Sequence, residues 1–175
     1  MTDLKSLIRT IPDFPEAGVQ YRDITTLLED PAGLREAVMQ LAAPFRDAPP
    51  DVVAGLDARG FIFGAAVAVE LGAGFVPIRK LGKLPGETVQ REYNLEYGTA
   101  TLELHRDTRA TGRVLLIDDL IATGGTALAG LSLLREVGAD VIGAGFLVDL
   151  PDLGGADRLR EAGVEVTALV SFPGH

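Results

Sequence analysis

Two adjacent carboxylates, Asp118 and Asp119, stand just ahead of a Thr-Gly-Gly-Thr run, Thr123 to Thr126. Glycines let a backbone approach a ligand closely, and successive N–H groups at the start of a helix make an anion site. Thr123 and Thr126 add hydroxyl donors. No lysine follows the glycines, so the run is not the GxxxxGK[ST] nucleotide loop, and it does not match GxGxxG. Two acids beside a phosphate cradle would repel a bare polyphosphate. They suit a ligand whose phosphate is followed by hydroxyls, because carboxylates accept hydrogen bonds from vicinal OH groups. Ribose 5-phosphate has that pattern. Two further stretches carry candidate cations: Asp57-Ala58-Arg59-Gly60, and the run from Arg79 and Lys80 through Gly82 and Lys83 to Gly86.

The elements that must position these residues are legible around them. Val114–Ile117 is a short apolar run, the form of a strand buried on both faces, with Asp118 and Asp119 at its end. A helix over Ala127–Val137 follows, with Gly138 at its C-terminal cap. Asp51–Leu56 (DVVAGL) is a second buried strand, and FIFGAAVAVELG after Arg59 is an apolar helix. Two strand–tight turn–helix units put both turns on the carboxyl edge of one sheet. Gly74–Arg79, Ala139–Val148 and Val164–Val170 read as further strands, and Asp157–Ala162 as a short helix. Alternation of strands and helices predicts an α/β fold, a mainly parallel sheet flanked by helices. Upstream, Asp3–Arg9 reads as a short helix, and Pro31–Arg46 as a longer one with Asp30 as N-cap and Pro31 at its first position. In IPDFPEAGVQYRDITTLLEDP, which runs from Ile11 to Pro31, three prolines and a glycine predict a long loop, yet Phe14, Val19, Tyr21 and Ile24 make it apolar enough to fold back over something. Lys80–Gly98 reads as an excursion before the alternating strand Thr99–His105, and a mobile lid is preferred over a solvated hairpin.

Composition bounds the function. At 175 residues, 47% apolar and 23% charged, the chain is expected to form one soluble domain, residues 1–175. No apolar run is long enough to span a bilayer, and MTDLKSLIRT lacks the apolar core of a signal peptide, so a cytoplasmic location is expected. With no cysteine there are no disulfides or thiolate metal sites, and His105 and His175 have no metal-ligand partner at a useful spacing. A net charge of −9 argues against nonspecific nucleic-acid binding. It also requires a polyanionic substrate to meet locally concentrated cations or to arrive with a divalent metal.

The Val114–Thr126 stretch closely resembles the phosphoribosyl pyrophosphate motif of the type I phosphoribosyltransferases. Four more stretches resemble the adenine phosphoribosyltransferase branch of that family, in its order and spacing. They are Phe14-Pro15…Gly18-Val19…Tyr21-Arg22-Asp23-Ile24, Gly55–Phe61, Arg79-Lys80…Gly82–Gly86, and Leu95-Glu96-Tyr97-Gly98. The match runs from about Pro12 to Asp149; the tail VTALVSFPGH departs from the family's aromatic-ended tail, and no function is carried over to it. The resemblance implies transfer of ribose 5-phosphate from phosphoribosyl pyrophosphate to adenine, giving AMP and pyrophosphate. It assigns Ala122, Thr123, Gly124, Gly125 and Thr126 to the 5′-phosphate, and Asp118 and Asp119 to the ribose hydroxyls and the hydrated Mg²⁺. Arg59, Lys80 and Lys83, with Arg79 beside them, would take the pyrophosphate. The family's base-binding hood corresponds to residues 1–30, with Val19 in it, Tyr21 stacking on the base, Arg22 at its edge, and Leu120 covering the other face. Residues 80–98 correspond to the lid, in which Glu96 exchanges a proton near the base and Tyr97 caps the closed state. A homodimer is implied by the same analogy.

Other readings are a transferase for xanthine or another purine, and a non-catalytic purine or phosphoribosyl pyrophosphate sensor. The chain has no spare length for a helix-turn-helix and an excess of acid, which disfavours a DNA-binding sensor.

Overall fold

The computed structural model describes residues 2–95 and 98–175. Among these, one sheet of seven strands has the order β5-β6-β4-β3-β7-β8-β9, and β1 and β2 form a separate antiparallel pair. The parallel strands are β3 (Val52–Leu56), β4 (Gly74–Lys80), β7 (Arg113–Ile121), β8 (Asp140–Asp149) and β9 (Val166–Ser171). Two antiparallel strands, β6 (Thr99–His105) and β5 (Thr88–Asn94), extend it beyond β4.

The central strands obey the period of two that a doubly covered sheet demands. On β7, Val114 and Leu116 enter one core and Leu115 and Ile117 the other. The first core lies under α4 (Gly125–Glu136) and α5 (Gly155–Glu161), with Leu131, Leu134 and Leu159 packed on Phe146. The second lies under α2 (Pro31–Ala42) and α3 (Gly60–Leu71), with Leu41, Phe63 and Val67 among its fully buried members. Asp30 caps α2 by accepting from the Gly33 N–H at 2.7 Å, with Pro31 at the first position, as expected. The helix ends at Ala42 rather than Arg46, because Pro44 lacks the N–H to continue it; a 3₁₀ turn, Ala43–Phe45, follows. After β3 the chain crosses to one side, to β4; after β7 it crosses to the other, to β8. The carboxyl edge between β3 and β7 is therefore a topological switch point, where an open sheet leaves a crevice for a ligand.

Several expectations change. The N-terminal helix contracts to a 3₁₀ turn, Lys5–Leu7. The expected hood loop is a hairpin: β1 (Arg9–Pro12) pairs with β2 (Gln20–Asp23), and a turn of helix, α1 (Thr25–Leu28), follows. Buried Asp23 fastens it, accepting from Arg9 Nε at 2.5 Å and from the Thr25 N–H at 2.9 Å. Hydrogen bonds from Thr25, then the bond from Arg9, lower its pKa to about 2. Within the 80–98 excursion, Thr88–Asn94 is strand β5, hydrogen-bonded to β6 along its whole length. Arg91 and Glu92 of TVQREYN are exposed on this edge strand, and Val89 is buried. Asp118 and Asp119 lie within β7, which runs on to Ile121.

Candidate active site

The switch point opens into a cavity of about 320 Å³. Arg59, Lys80, Asp118, Asp119, Leu120, Ala122, Thr123, Gly124, Gly125 and Thr126 all line it. Residues separated by up to 67 positions in the chain thus meet on one wall-to-wall surface, with cations at the β3–β4 side and N–H groups at the β7–α4 side.

Each part is held from behind. Near the end of β7, Asp119 is buried, 5% exposed, and accepts from Arg59 Nε at 2.6 Å. Asp119 is the first cause raising the pKa of Arg59. Asp118 Oδ1 accepts from the Asp119 N–H at 2.8 Å. Burial first, then the neighbouring Asp119 charge, push the Asp118 carboxyl well above the ordinary carboxylate range. The folded chain holds this proton to higher pH than the unfolded chain. Stability from this group therefore declines as pH rises from the usual carboxylate range through the raised value. Close approach matters here: a Cβ at Gly60 would lie 2.9 Å from Asp118 Oδ1 and 2.9 Å from the Ile117 carbonyl oxygen, so only glycine lets α3 start against β7.

Asp57 ties the ends of β3 and β4 together. Its Oδ2 accepts from Arg79 Nε and from the Lys80 N–H, each at 3.3 Å. A cis peptide joins Asp57 to Ala58. The turn after Lys80 is organised by Glu103 on β6, 2% exposed, whose carboxylate accepts from the N–H groups of Gly82 (3.2 Å) and Leu84 (3.0 Å). That turn carries Lys83, which is exposed and outside the cavity lining.

The hood residues form a second group. Tyr21 stacks edge-on against Phe14 with ring centroids 5.1 Å apart, and lies within electrostatic reach of Arg59. Val19 closes the hairpin, accepting from the Phe14 N–H at 3.3 Å. The Arg22 guanidinium donates to Thr10 Oγ1 at 2.6 Å and to the Pro173 carbonyl at 3.2 Å, and lies over the Phe172 ring. Phe172 is buried, and the Gln20 N–H donates to the His175 carbonyl at 2.9 Å. The tail to which no role was assigned therefore holds the β1–β2 hairpin. Glu96 and Tyr97 lie outside the described residues.

Asp57, Ala58, Tyr93, Ile121 and Ala127 also line the cavity and were not among the expected site residues. Asp57 and Ala58 stand in the same turn as Arg59, so the turn itself was the signal. Tyr93 had one as well: it falls in phase with Val89 along β5.

The Phosphoribosyl transferase domain family model matches residues 24–165. The adenine phosphoribosyltransferase of Dinoroseobacter shibae is 59% identical over 172 residues, covering 98% of this chain and 96% of its own. Among solved structures, the adenine phosphoribosyltransferase of Rhodothermus marinus superposes with a TM-score of 0.90 at 48% identity, over 97% of this chain and 96% of that one. The enzyme of Saccharomyces cerevisiae, complexed with an imino-altritol bisphosphate and adenine, superposes with a TM-score of 0.88 at 34% identity, over 95% and 96%. With a Thr-Gly-Gly-Thr turn beside paired acids, set in a chain alike from end to end, the chain belongs to the phosphoribosyltransferases, and among them to the adenine phosphoribosyltransferase family.

Proposed function

We propose that the chain joins adenine to the ribose 5-phosphate of phosphoribosyl pyrophosphate, releasing AMP and pyrophosphate, as a step of purine salvage. The carrying observation is that Asp118, Asp119, Arg59, Lys80 and the Ala122–Thr126 turn line one cavity. The C1′–O bond to pyrophosphate breaks, the C1′–N9 bond forms on the opposite face, and the N9 proton must leave. C1′ gains oxocarbenium character in between, so both partners must be held in line and the departing charge stabilised. The turn takes the 5′-phosphate on its N–H groups and the Thr123 and Thr126 hydroxyls. Asp118 and Asp119 accept from the ribose diol. Arg59 and Lys80 meet the pyrophosphate, with Arg79 and Lys83 behind them. Residues 1–30 form the hood, in which Val19, Tyr21 and Arg22 shape the base pocket opposite Leu120. Residues 80–98 form a lid that lets pyrophosphate out, with Glu96 and Tyr97 in it.

Mg²⁺ fits this donor set only in company. Among the described residues no group of three or more His, Cys, Asp or Glu could hold a metal. Mg²⁺ is commonly bound by one or two carboxylates together with substrate phosphates and water. Asp118 and Asp119 would hold it through water and substrate, and it would neutralise pyrophosphate charge. A homodimer is supported by α3, which is apolar apart from Glu70 yet leaves Ile62 42% and Val69 82% exposed in one stripe. The reaction belongs in the cytoplasm, since multiply phosphorylated substrates stay in the compartment that makes them. No helix among the described residues is long and apolar enough to cross a membrane.

A coupled pyrophosphate-release assay across a panel of bases tests the activity. Release is expected with adenine, the donor and Mg²⁺ together. A 6-oxopurine carries a carbonyl where adenine carries an amine donor, so an acceptor that reads adenine would be left unpaired, at a cost of about 1–3 kcal/mol per unpaired group. Equal turnover of hypoxanthine or xanthine would overturn the base assignment.

Asp119→Asn tests diol recognition. It removes hydrogen bonds to a charged acceptor worth about 1.5–3 kcal/mol, so ribose 5-phosphate should bind roughly 10- to 100-fold more weakly by calorimetry. It also removes the like charge beside Asp118, whose pKa falls although burial still holds it up. The fall in affinity on acidification should therefore begin at lower pH in the variant than in the parent chain. Unchanged affinity and an unchanged profile would reject the diol role.

A further inference from the structure

The phosphate turn is built by α5 as much as by its own glycines. Gly155, the first residue of α5, donates its N–H to the Ala122 carbonyl at 3.0 Å. One turn further on, the Arg158 guanidinium donates to the Thr123 carbonyl, and also to the Leu153 carbonyl at 3.3 Å. Two successive carbonyls of the turn are thus drawn toward α5. A trans peptide is planar, with C=O and N–H pointing in opposite directions. The N–H groups of Thr123 and Gly124, which belong to those same two peptide units, must then face away from α5, on the side of the cavity that Thr123 and Gly124 line.

The contact is too close to be incidental. A Cβ at Gly155 would lie 2.5 Å from the Ala122 carbonyl oxygen and 2.7 Å from the Gly124 nitrogen. Backbone meets backbone, so neither side can yield by turning a side chain. Gly155 is buried, whereas Arg158 is exposed and outside the cavity, with its aliphatic stem on the surface of α5.

We infer that Arg158 is a positioning residue for the phosphate site: it holds the Thr123 carbonyl outward and so aims the turn's N–H donors at the 5′-phosphate. It touches no substrate. The inference rests on the assignment of Ala122–Thr126 to that phosphate. Its consequence is selective. Ligands bearing a 5′-phosphate depend on Arg158; free adenine does not.

The test is the full chain with Arg158→Ala and Arg158→Lys, titrated with ribose 5-phosphate and with AMP. Arg158 is exposed, so the thermal midpoint of the alanine variant should stay close to that of the parent. Loss of a charged donor to the turn should weaken ribose 5-phosphate and AMP together by roughly tenfold. In turnover the donor KM should rise more than kcat falls, with the adenine KM unchanged. Lysine, a single charged donor on a flexible stem, should restore part of the affinity. Equal affinity of Arg158→Ala and the parent for ribose 5-phosphate would overturn the inference. So would an equal loss for adenine, which marks general damage. If the parent itself ignores ribose 5-phosphate, the phosphate assignment falls and this inference with it; if only the variant's loss is missing, the assignment stands alone.

Discussion

Gly124→Ala should yield a folded chain whose affinity for ribose 5-phosphate is about a hundredfold lower or worse. Gly124 sits at φ +91°, and a Cβ there would lie 2.9 Å from Gly155 Cα and 3.2 Å from the Gly155 carbonyl oxygen. The left-handed backbone costs an alanine about 1–2 kcal/mol, and forcing a methyl against a packed neighbour adds about 1–3 kcal/mol. Gly155 cannot retreat, because its N–H is bonded to Ala122 and its helix is packed through buried Leu159. The turn must shift instead, and its N–H groups leave the phosphate position. Gly138 supplies the control. It is also left-handed, at φ +94°, but a Cβ there meets nothing within 4 Å. Gly138→Ala should lower the thermal midpoint by a few degrees and leave ribose 5-phosphate binding intact; about 1 kcal/mol is worth roughly 2–4 °C at this size. Calorimetric titration with scanning calorimetry separates the two. Binding retained in Gly124→Ala would mean that the left-handed turn is not what grips the phosphate.

The residues of that turn were legible because their signals are local. Val114–Ile117 is an unbroken apolar run, Thr-Gly-Gly-Thr follows it, and the helix after it keeps its period; each fact needs a window of a few residues. Asp118 and Asp119 were placed past the strand because two charges usually mark an exit from the core. Here the strand runs on, and Asp119 is buried and paired with an arginine 60 residues away. The hood strands escaped notice for a different reason. β1 and β2 are four residues each, and two of the three prolines that argued for loop fall here, Pro12 at the end of β1 and Pro15 in the connection to β2. Strand β5 was hidden by its position: an edge strand buries one face, and only Val89 and Tyr93 carry that periodicity among charged neighbours. Nothing local announces Arg158 or the docking of Arg22 on Phe172. Both are bonds between distant segments, and the first uses backbone carbonyls, which every residue possesses. Local reading therefore finds the ligand-facing half of a site. The supporting half, made of long-range contacts to main chain, emerges only with the fold.

The largest loss of turnover is expected from Glu96→Gln. Forming the C1′–N9 bond leaves a proton on the adenine ring that must be removed, and among the proposed site residues other carboxylates are committed. Asp119 is paired with Arg59, and Asp118 accepts from the Asp119 N–H. The resemblance gives the proton to Glu96. A positioned acid or base contributes about 10²–10⁴-fold. Glutamine keeps the size and a hydrogen-bonding carbonyl but cannot take the proton, so kcat should fall by that factor while the affinity for ribose 5-phosphate remains within about threefold. Single-turnover quench experiments, with donor and adenine both saturating, would place the loss in the bond-forming step rather than in product release. Any acidic limb of the parent's kcat profile that belongs to this carboxyl should disappear in the variant. Turnover within about threefold of the parent would remove Glu96 from the chemistry and move the proton to solvent or to the departing pyrophosphate.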